Sequence, residues 1–436
     1  MKVVLLFSQL YPNFRIAELQ GISHAFGINF DISQINNEGH LFLVDMESEQ
    51  DARKLLSRSM LLKSAYFHIF MASSCENLCG EITRHREVFK VFDHSDQSFS
   101  VTVHSVGRRK GVNCLKMASE FASLLPLDAA PVDLNNPSNS FTILTEFPSA
   151  NALEPSRLFF CKLIDHGQAR LKTLYNIKDR LYIGNTTMDP ELAFIQSNAS
   201  SVRANDLVLD PFMGTGGLLL CAAEFGAYTL GTEINYQIAK AIGKSSRHDV
   251  SMRSTEESVK ANFEQYGTDR YFLSGILADA CWHDLWARPL FNAIITDPPY
   301  GIREKGRKIG RKPRKDHWTL AKADYDCHFP EKQPYSLETT FTDLCDLAAK
   351  TLLIGSKLSF WFPVIIESYS EECLPVHPAL KMVANCEQPL SRKTSRRLLV
   401  YQKYREPMAD ERAWYPANHF QNASFRDATF APKPVL

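Results

Sequence analysis

Apolar and polar positions follow two patterns along this chain, and the change between them divides it. Up to about residue 165, short β-branched and aromatic runs at 3–7, 41–44, 99–104 and 141–146 read as strands. Between them, at 17–26, 49–60 and 115–124, apolar residues recur every three and four positions, the spacing of one helix face. This mixture predicts small α+β layers. Pro and Asn enrichment over 133–155 marks turns, and 165–182 reads as a connector.

From about 181 to 403 the pattern becomes strand, turn, helix, strand. An apolar run at 207–210 enters a glycine-rich turn and a helix of small and apolar residues, and a further strand follows at 228–232. A third strand-like run is expected just before Asp279 and later strands at 291–296 and at 357–362, with an amphipathic helix over 336–354. A last strand pair, 381–386 and 397–403, would complete a seven-stranded α/β sheet with an antiparallel edge. The polar stretch 243–269, rich in Ser, Arg and Glu, reads as a surface helix or insertion rather than a site. The expected organisation is an α+β region over 1–165, a linker over 166–185, an α/β domain over 186–405 and a polar, poorly ordered tail over 406–436.

Composition narrows the class. The 436 residues are 44% hydrophobic and 22% charged, enough apolar material for more than one core. Lys and Arg total 49 against 49 Asp and Glu, and a zero sum by itself argues against a nucleic-acid partner. No apolar run reaches membrane-spanning length, and the N-terminal apolar run is too short for a signal sequence, so a cytosolic or nuclear protein is expected. The 10 cysteines are scattered without a C-x-x-C pair; Cys75 and Cys79 sit at helical spacing, and all are expected to be reduced thiols with no bound metal.

The chemistry lies in the second half. Asp210-Pro211-Phe212-Met213-Gly214-Thr215-Gly216-Gly217 follows a buried strand, and Glu233 ends the next strand. Glycines let backbone approach a ligand, and an acid at the next strand end is placed to accept from ribose hydroxyls. The dinucleotide pattern G-x-G-x-x-G is absent, and a pyrophosphate would want an unobstructed helix N-terminus rather than an adjoining Asp. S-adenosylmethionine, with an ammonium instead of phosphates, suits Asp210. Asp279, after a third strand, is placed either to accept from an adenine amine or to cap a helix.

The most specific signal is Thr296-Asp297-Pro298-Pro299-Tyr300-Gly301. A strand rises to an acid and two prolines force a rigid, non-helical exit. That arrangement suits methylation of an exocyclic amine on a planar base. Asp297 and a carbonyl of the Pro298–Pro299 turn accept the two N–H bonds, and Tyr300 offers a stacking face for an extruded base.

These strings resemble the class I amino-methyltransferases, which act on adenine, cytosine, guanine or glutamine amides. Leu181-Tyr182-Ile183-Gly184-Asn185-Thr186-Thr187-Met188-Asp189-Pro190, with Gly301-Ile302-Arg303-Glu304 after the Asp-Pro-Pro-Tyr turn and then Arg307-Lys308-Ile309-Gly310, is similar to the THUMP-containing tRNA guanosine methyltransferases. Within them it resembles specifically the eukaryotic catalytic subunits that make N2-methylguanosine at tRNA position 10. The resemblance implies a Rossmann-like seven-stranded methyltransferase domain after a ferredoxin-like and THUMP-like α+β region. It implies S-adenosylmethionine as cofactor, tRNA as substrate, a small zinc-binding activator subunit as partner, and a cytoplasmic location. It also implies catalytic roles for Asp297, Pro298, Pro299 and Tyr300. Thr187, Met188, Asp210, Phe212, Gly214, Thr215, Gly216, Glu233 and Asp279 would hold the cofactor.

Charge distribution then revises the zero sum. Residues 301–315 carry eight cations, Arg303, Lys305, Arg307, Lys308 and Arg311 among them, against Glu304 alone, and 391–405 carry six, Arg396 among them, with no acid. The first run directly follows the base-reading turn, where a phosphate backbone must pass, and an RNA contact is expected there. Arg108, Arg109 and Lys110, a basic turn after a strand, are the candidate contact of the first half. Other amine substrates (ribosomal RNA, DNA adenine, a glutamine amide) share the same chemistry, and a non-catalytic RNA-binding protein is the alternative of another class.

Overall fold

The computed structural model describes residues 1–107, 113–300, 306–310 and 332–417. The chain divides into two compact units, one of Met1–Ile16 and Phe26–Ala169, the other of Ala17–Ala25 and Arg170–Leu436.

In the first unit β1 (Lys2–Phe7), β2 (Leu41–Asp45), β3 (Leu62–Ala72), β4 (Phe99–Val106), β5 (Asn139–Glu146) and β6 (Arg157–His166) form one sheet in the order β2-β1-β3-β6-β5-β4. The four expected strands are present. β3 and β6 were not legible as strands, because β6 is buried on both faces and its apolar run does not alternate. Leu158, Phe159, Phe160 and Cys161 are all fully buried, and Phe160 packs with Phe89 and Phe141 on one face while Phe159 joins Val4, Leu6 and Tyr66 on the other. Helix α1 (Arg15–Phe26) starts in this unit; α2 (Glu49–Leu56), α3 (Cys75–Arg84) and α4 (Cys114–Leu124) belong to it. The serine or asparagine before each of these last three caps it through its side-chain oxygen. The basic turn of Arg108, Arg109 and Lys110 lies outside the described residues.

The second unit opens with a single turn, α5 (Leu171–Leu174), and continues through α6 (Pro190–Ala199), β7 (Leu207–Asp210), α7 (Gly217–Glu224), β8 (Tyr228–Glu233), α8 (Tyr236–Ala239), α9 (Val259–Gln265), β9 (Phe272–Leu277) and β10 (Phe291–Thr296). A short antiparallel pair, β11 (Arg307–Ile309) and β12 (Lys332–Pro334), precedes α10 (Leu337–Thr351), β13 (Leu352–Ile365), β14 (Leu380–Pro389) and β15 (Thr394–Lys403). The main sheet has seven strands in the order β14-β15-β13-β10-β7-β8-β9, the Rossmann-like seven-stranded sheet that was expected. β7, β8, β9, β10 and β13 run parallel, whereas β15 is antiparallel to both β13 and β14. The antiparallel strand is therefore the second from the edge rather than the edge itself, a consequence of the hairpin folding back inward. Its inner face packs on α10, with Phe341, Phe360 and Tyr401 in one apolar cluster.

The chain beyond Glu406, expected to be a loose tail, is held as far as Ala417. Trp414 exchanges backbone hydrogen bonds with Val376, Ala413 N–H donates to Asp346 Oδ1 at 2.6 Å, and Tyr415 packs on the α10 cluster. The rest of the expected tail lies outside the described residues. No helix among the described residues is long and apolar enough to cross a membrane, and the described cysteines form no disulfide.

Candidate active site

The site is built at the carboxyl ends of β7, β8 and β10, where parallel sheets open a crevice. Asp210 is the last residue of β7 and is 2% exposed. Its Oδ1 accepts from Thr296 Oγ1 at 2.6 Å and from Phe212 N–H at 3.0 Å. Thr296 ends β10 directly before Asp297, so one hydroxyl ties the first motif to the second. Burial, helped by the negative charges of Asp297 and Glu233, pushes the Asp210 carboxyl up to about 7.

Between β7 and α7 the chain turns through Gly214 at φ +54° and Gly216 at φ +80°, conformations that L side chains rarely adopt. A Cβ on Gly214 would meet only the Phe212 carbonyl oxygen, at 4.0 Å, so this stretch of backbone faces open space. Glu233, at the end of β8, accepts from Gly214 N–H at 3.1 Å and from Asn235 N–H at 2.7 Å. Met213 is buried, and a Cβ on Gly231 or Gly275 would collide with it; those glycines let the turn seat on β8 and β9.

The segment before α6 lies against this turn. Thr187 Oγ1 pairs with Gly184 N–H at 2.9 Å and approaches Thr215 Oγ1 at 3.4 Å. Asp189 caps α6 through Oδ1, with Pro190 in the first turn, and Met188 is the buried hydrophobe just before the cap. Thus Thr187, Met188, Asp210, Phe212, Gly214, Thr215, Gly216 and Glu233 come together around one crevice. Asp279 is buried; its Oδ1 accepts from Cys281 N–H at 3.0 Å and its Oδ2 from Ile309 N–H at 2.6 Å. It therefore both closes a local turn and anchors the basic strand β11.

On the other wall, Pro298 is buried while Asp297, Pro299 and Tyr300 are half-buried. Arg396 on β15 donates to Tyr300 Oη at 3.2 Å and lies 3.9 Å from Asp297 Oδ2. Of the expected RNA contacts on the basic run, Arg307 is exposed on β11 and the Lys308 ammonium sits 5.4 Å over the Tyr335 ring. Arg303, Lys305 and Arg311 lie outside the described residues.

Three carboxylates, Asp210, Glu233 and Asp297, thus crowd one crevice beside an open glycine backbone. That acceptor set fits a ligand with positive charge, hydroxyls and an amine, which is the chemistry of S-adenosylmethionine.

The first domain of the chain, residues 1–169, matches the Tmrp11 THUMP N-terminal domain, and residues 178–313 match the RMKL-like methyltransferase domain. Over 444 residues the chain is 34% identical to the tRNA (guanine(10)-N(2))-methyltransferase TRMT11 of Bos taurus, covering 99% of this chain and 95% of that one. The chain belongs to the tRNA (guanine(10)-N(2))-methyltransferase TRMT11 family. The TRMT11 of Xenopus laevis is 36% identical over 93% of this chain and 85% of its own length, and that of Dictyostelium discoideum 32% over 92% and 82%.

Within this TRMT11-family site, several residues carried no sequence signal. The stretch 243–269, expected to be a surface helix or insertion rather than part of a site, does hold a helix, α9, and it braces the segment before α6. Asn262 on α9, 1% exposed, accepts from Tyr182 N–H at 2.7 Å and donates to Tyr182 O at 2.8 Å and Thr215 O at 3.4 Å. Arg253 donates to Ile183 O at 3.0 Å and lies over the Tyr182 ring. Behind Asp297, fully buried Gln196 donates to Thr296 O and Ser359 O, each at 3.1 Å, and accepts from Trp361 Nε1 at 2.9 Å. Nothing in the α6 sequence singled Gln196 out from the neighbouring polar residues Ser197 and Asn198; only burial shows that its amide must find partners.

Proposed function

We propose that this chain transfers a methyl group from S-adenosylmethionine to the exocyclic N2 amine of guanosine 10 in tRNA. The observation that carries the reading is the Thr296 bridge, which sets the Asp-Pro-Pro-Tyr turn beside the Asp210 and glycine-turn crevice in a member of this family. Held there, the cofactor would supply an activated methyl group on a positively charged sulfur, with a neutral thioether as the leaving group.

The chain's residues do the rest. Asp210 and Glu233 hold cationic and hydroxyl groups, the Gly214–Gly216 backbone allows close approach, and Thr187 and Met188 line the opposite side. Asp279 would accept from the adenine amine beside the backbone N–H groups it already holds. Asp297 and the Pro298 carbonyl accept from the amine, which aims its lone pair and offsets the charge that develops on nitrogen; Asp297 then takes the proton that nitrogen sheds. Tyr300 stacks on the flipped base. The first domain captures tRNA, with Arg108, Arg109 and Lys110 as its candidate contacts, and Arg303, Lys305, Arg307, Lys308 and Arg311 meet the phosphate backbone near the target.

A small zinc-binding activator subunit belongs to the same proposal. Leu273 and Leu277 on the terminal strand β9, and Trp282 nearby, are more than two-fifths exposed, which supports a protein partner. Free buried thiols such as Cys161, Cys221 and Cys345 support a reducing, cytoplasmic setting. The test is methyl transfer to total tRNA by the purified chain, alone and with a co-expressed activator subunit, followed by nucleoside mass spectrometry of position 10. Asp297→Ala is expected to abolish turnover while keeping cofactor affinity; methylation confined to another RNA or another position would refute the assignment.

A further inference from the structure

Arg396 and Arg397 are neighbours on β15, so their side chains leave opposite faces of the sheet. Arg397 donates to Asn385 Oδ1 at 2.5 Å and stacks on Tyr369. Arg396 turns toward the candidate active site, where each of its three side-chain nitrogens meets a protein partner. Nε donates to Gln388 Oε1 at 2.6 Å, Nη1 to Tyr300 Oη at 3.2 Å, and Nη2 approaches Met188 Sδ at 3.6 Å. Its guanidinium lies 4.3 Å over the Trp361 ring and 3.9 Å from Asp297 Oδ2, with the side chain only 13% exposed.

A cation that serves an RNA backbone needs its donors in solvent, free to meet phosphate oxygens. Arg396 instead spans both halves of the crevice, Met188 on the cofactor side and Asp297 and Tyr300 on the base side. It rests on Trp361, which Gln196 ties to the Thr296 carbonyl. Resting on the methyltransferase reading above, we propose that Arg396 is a positioning residue for methyl transfer. Its planar fork fixes the Asp297 carboxylate and the Tyr300 ring relative to the cofactor wall, and its charge offsets that of Asp297 in a crevice already crowded with carboxylates.

The test compares the full-length wild-type chain with Arg396→Gln, Arg396→Lys and Gln388→Ala, using the activator subunit if the wild type needs it. Thermal melts check folding. For Arg396→Gln, kcat is expected to fall about 100-fold, the scale of a misplacement of roughly 1 Å. The KM for tRNA and the calorimetric Kd for S-adenosylhomocysteine are expected to stay within about threefold. Arg396→Lys, which keeps charge but not the fork, recovers part of kcat. Gln388→Ala, which only loosens the arginine, loses roughly three- to tenfold of kcat and keeps the test open if Arg396→Gln does not fold. The salt slope of tRNA binding is expected to be unchanged.

A phosphate contact gives the opposite split, with KM raised, kcat intact and the salt slope lower by about 1, and that result overturns the proposal. Wild-type kcat in both Arg396→Gln and Gln388→Ala overturns it as well. If the wild-type chain transfers no methyl group to tRNA even with the activator, the functional reading fails and this proposal with it; an active wild type with an equally active variant sinks the proposal alone.

Discussion

Asp210 makes cofactor binding and stability depend on pH in a direction that can be worked out. Its ordinary value is 3.8, and in the fold it is pushed up to about 7, chiefly because burial penalises the carboxylate. Between these values the folded chain holds a proton that the unfolded chain has released. The protonated form's stability is therefore fully present below 3.8 and is lost as pH rises through about 7. The shift corresponds to about 4 kcal/mol of penalty at pH 8. Asp210→Asn keeps the oxygen that accepts from Thr296 but carries no charge. Near pH 4 it should melt close to the wild type, whereas at pH 8 it should melt higher, by about 2–4 °C for each kcal/mol removed.

Ligand binding reads the same proton. S-adenosylhomocysteine carries an ammonium that favours the carboxylate form of Asp210. Calorimetry at pH 6 in two buffers of different ionisation enthalpy should then show release of close to one proton, vanishing at pH 8 and absent in Asp210→Asn, which should also bind at least tenfold more weakly. An Asp210→Asn chain that is no more stable than wild type at pH 8, or proton release that does not change between pH 6 and 8, would refute the reasoning.

Three further outcomes test the framework around the site. Gly216→Ala meets both a positive φ and Val259 Cγ1 at 2.8 Å, whereas Gly214→Ala meets open space; urea unfolding should show the former costing clearly more than the roughly 1–2 kcal/mol of left-handed strain alone. Gln196→Leu strands the Thr296 carbonyl and the Trp361 N–H, and chemical denaturation should report a loss of about 2–4 kcal/mol. Asn262→Ala frees the Tyr182 segment from the glycine turn; S-adenosylhomocysteine affinity should drop about tenfold, and a loss of stability with full affinity would count against its bracing role.

The sequence was most informative where chemistry is local. Strand ends, glycine turns and the Asp-Pro-Pro-Tyr exit are set by dihedral and steric limits on a few consecutive residues, so the order of residues alone places Asp210, Glu233 and Asp297 at one crevice. Hidden were the strands β3 and β6, the latter because burial of both faces erases its alternation, and the bracing stretch 243–269, whose polar surface disguises the single buried face of α9.

What the sequence by itself determined, then, is the family, the α/β scaffold and the acids that gather at the strand ends. Only the tertiary structure decided which of two adjacent arginines enters the site, because side chains alternate across a strand and a one-residue slip of β15 would exchange Arg396 for Arg397. Arg396 lies 96 residues from Tyr300 and 208 from Met188 along the chain. They meet because β15 folds back antiparallel between β13 and β14, a choice made by long-range packing that no local pattern encodes.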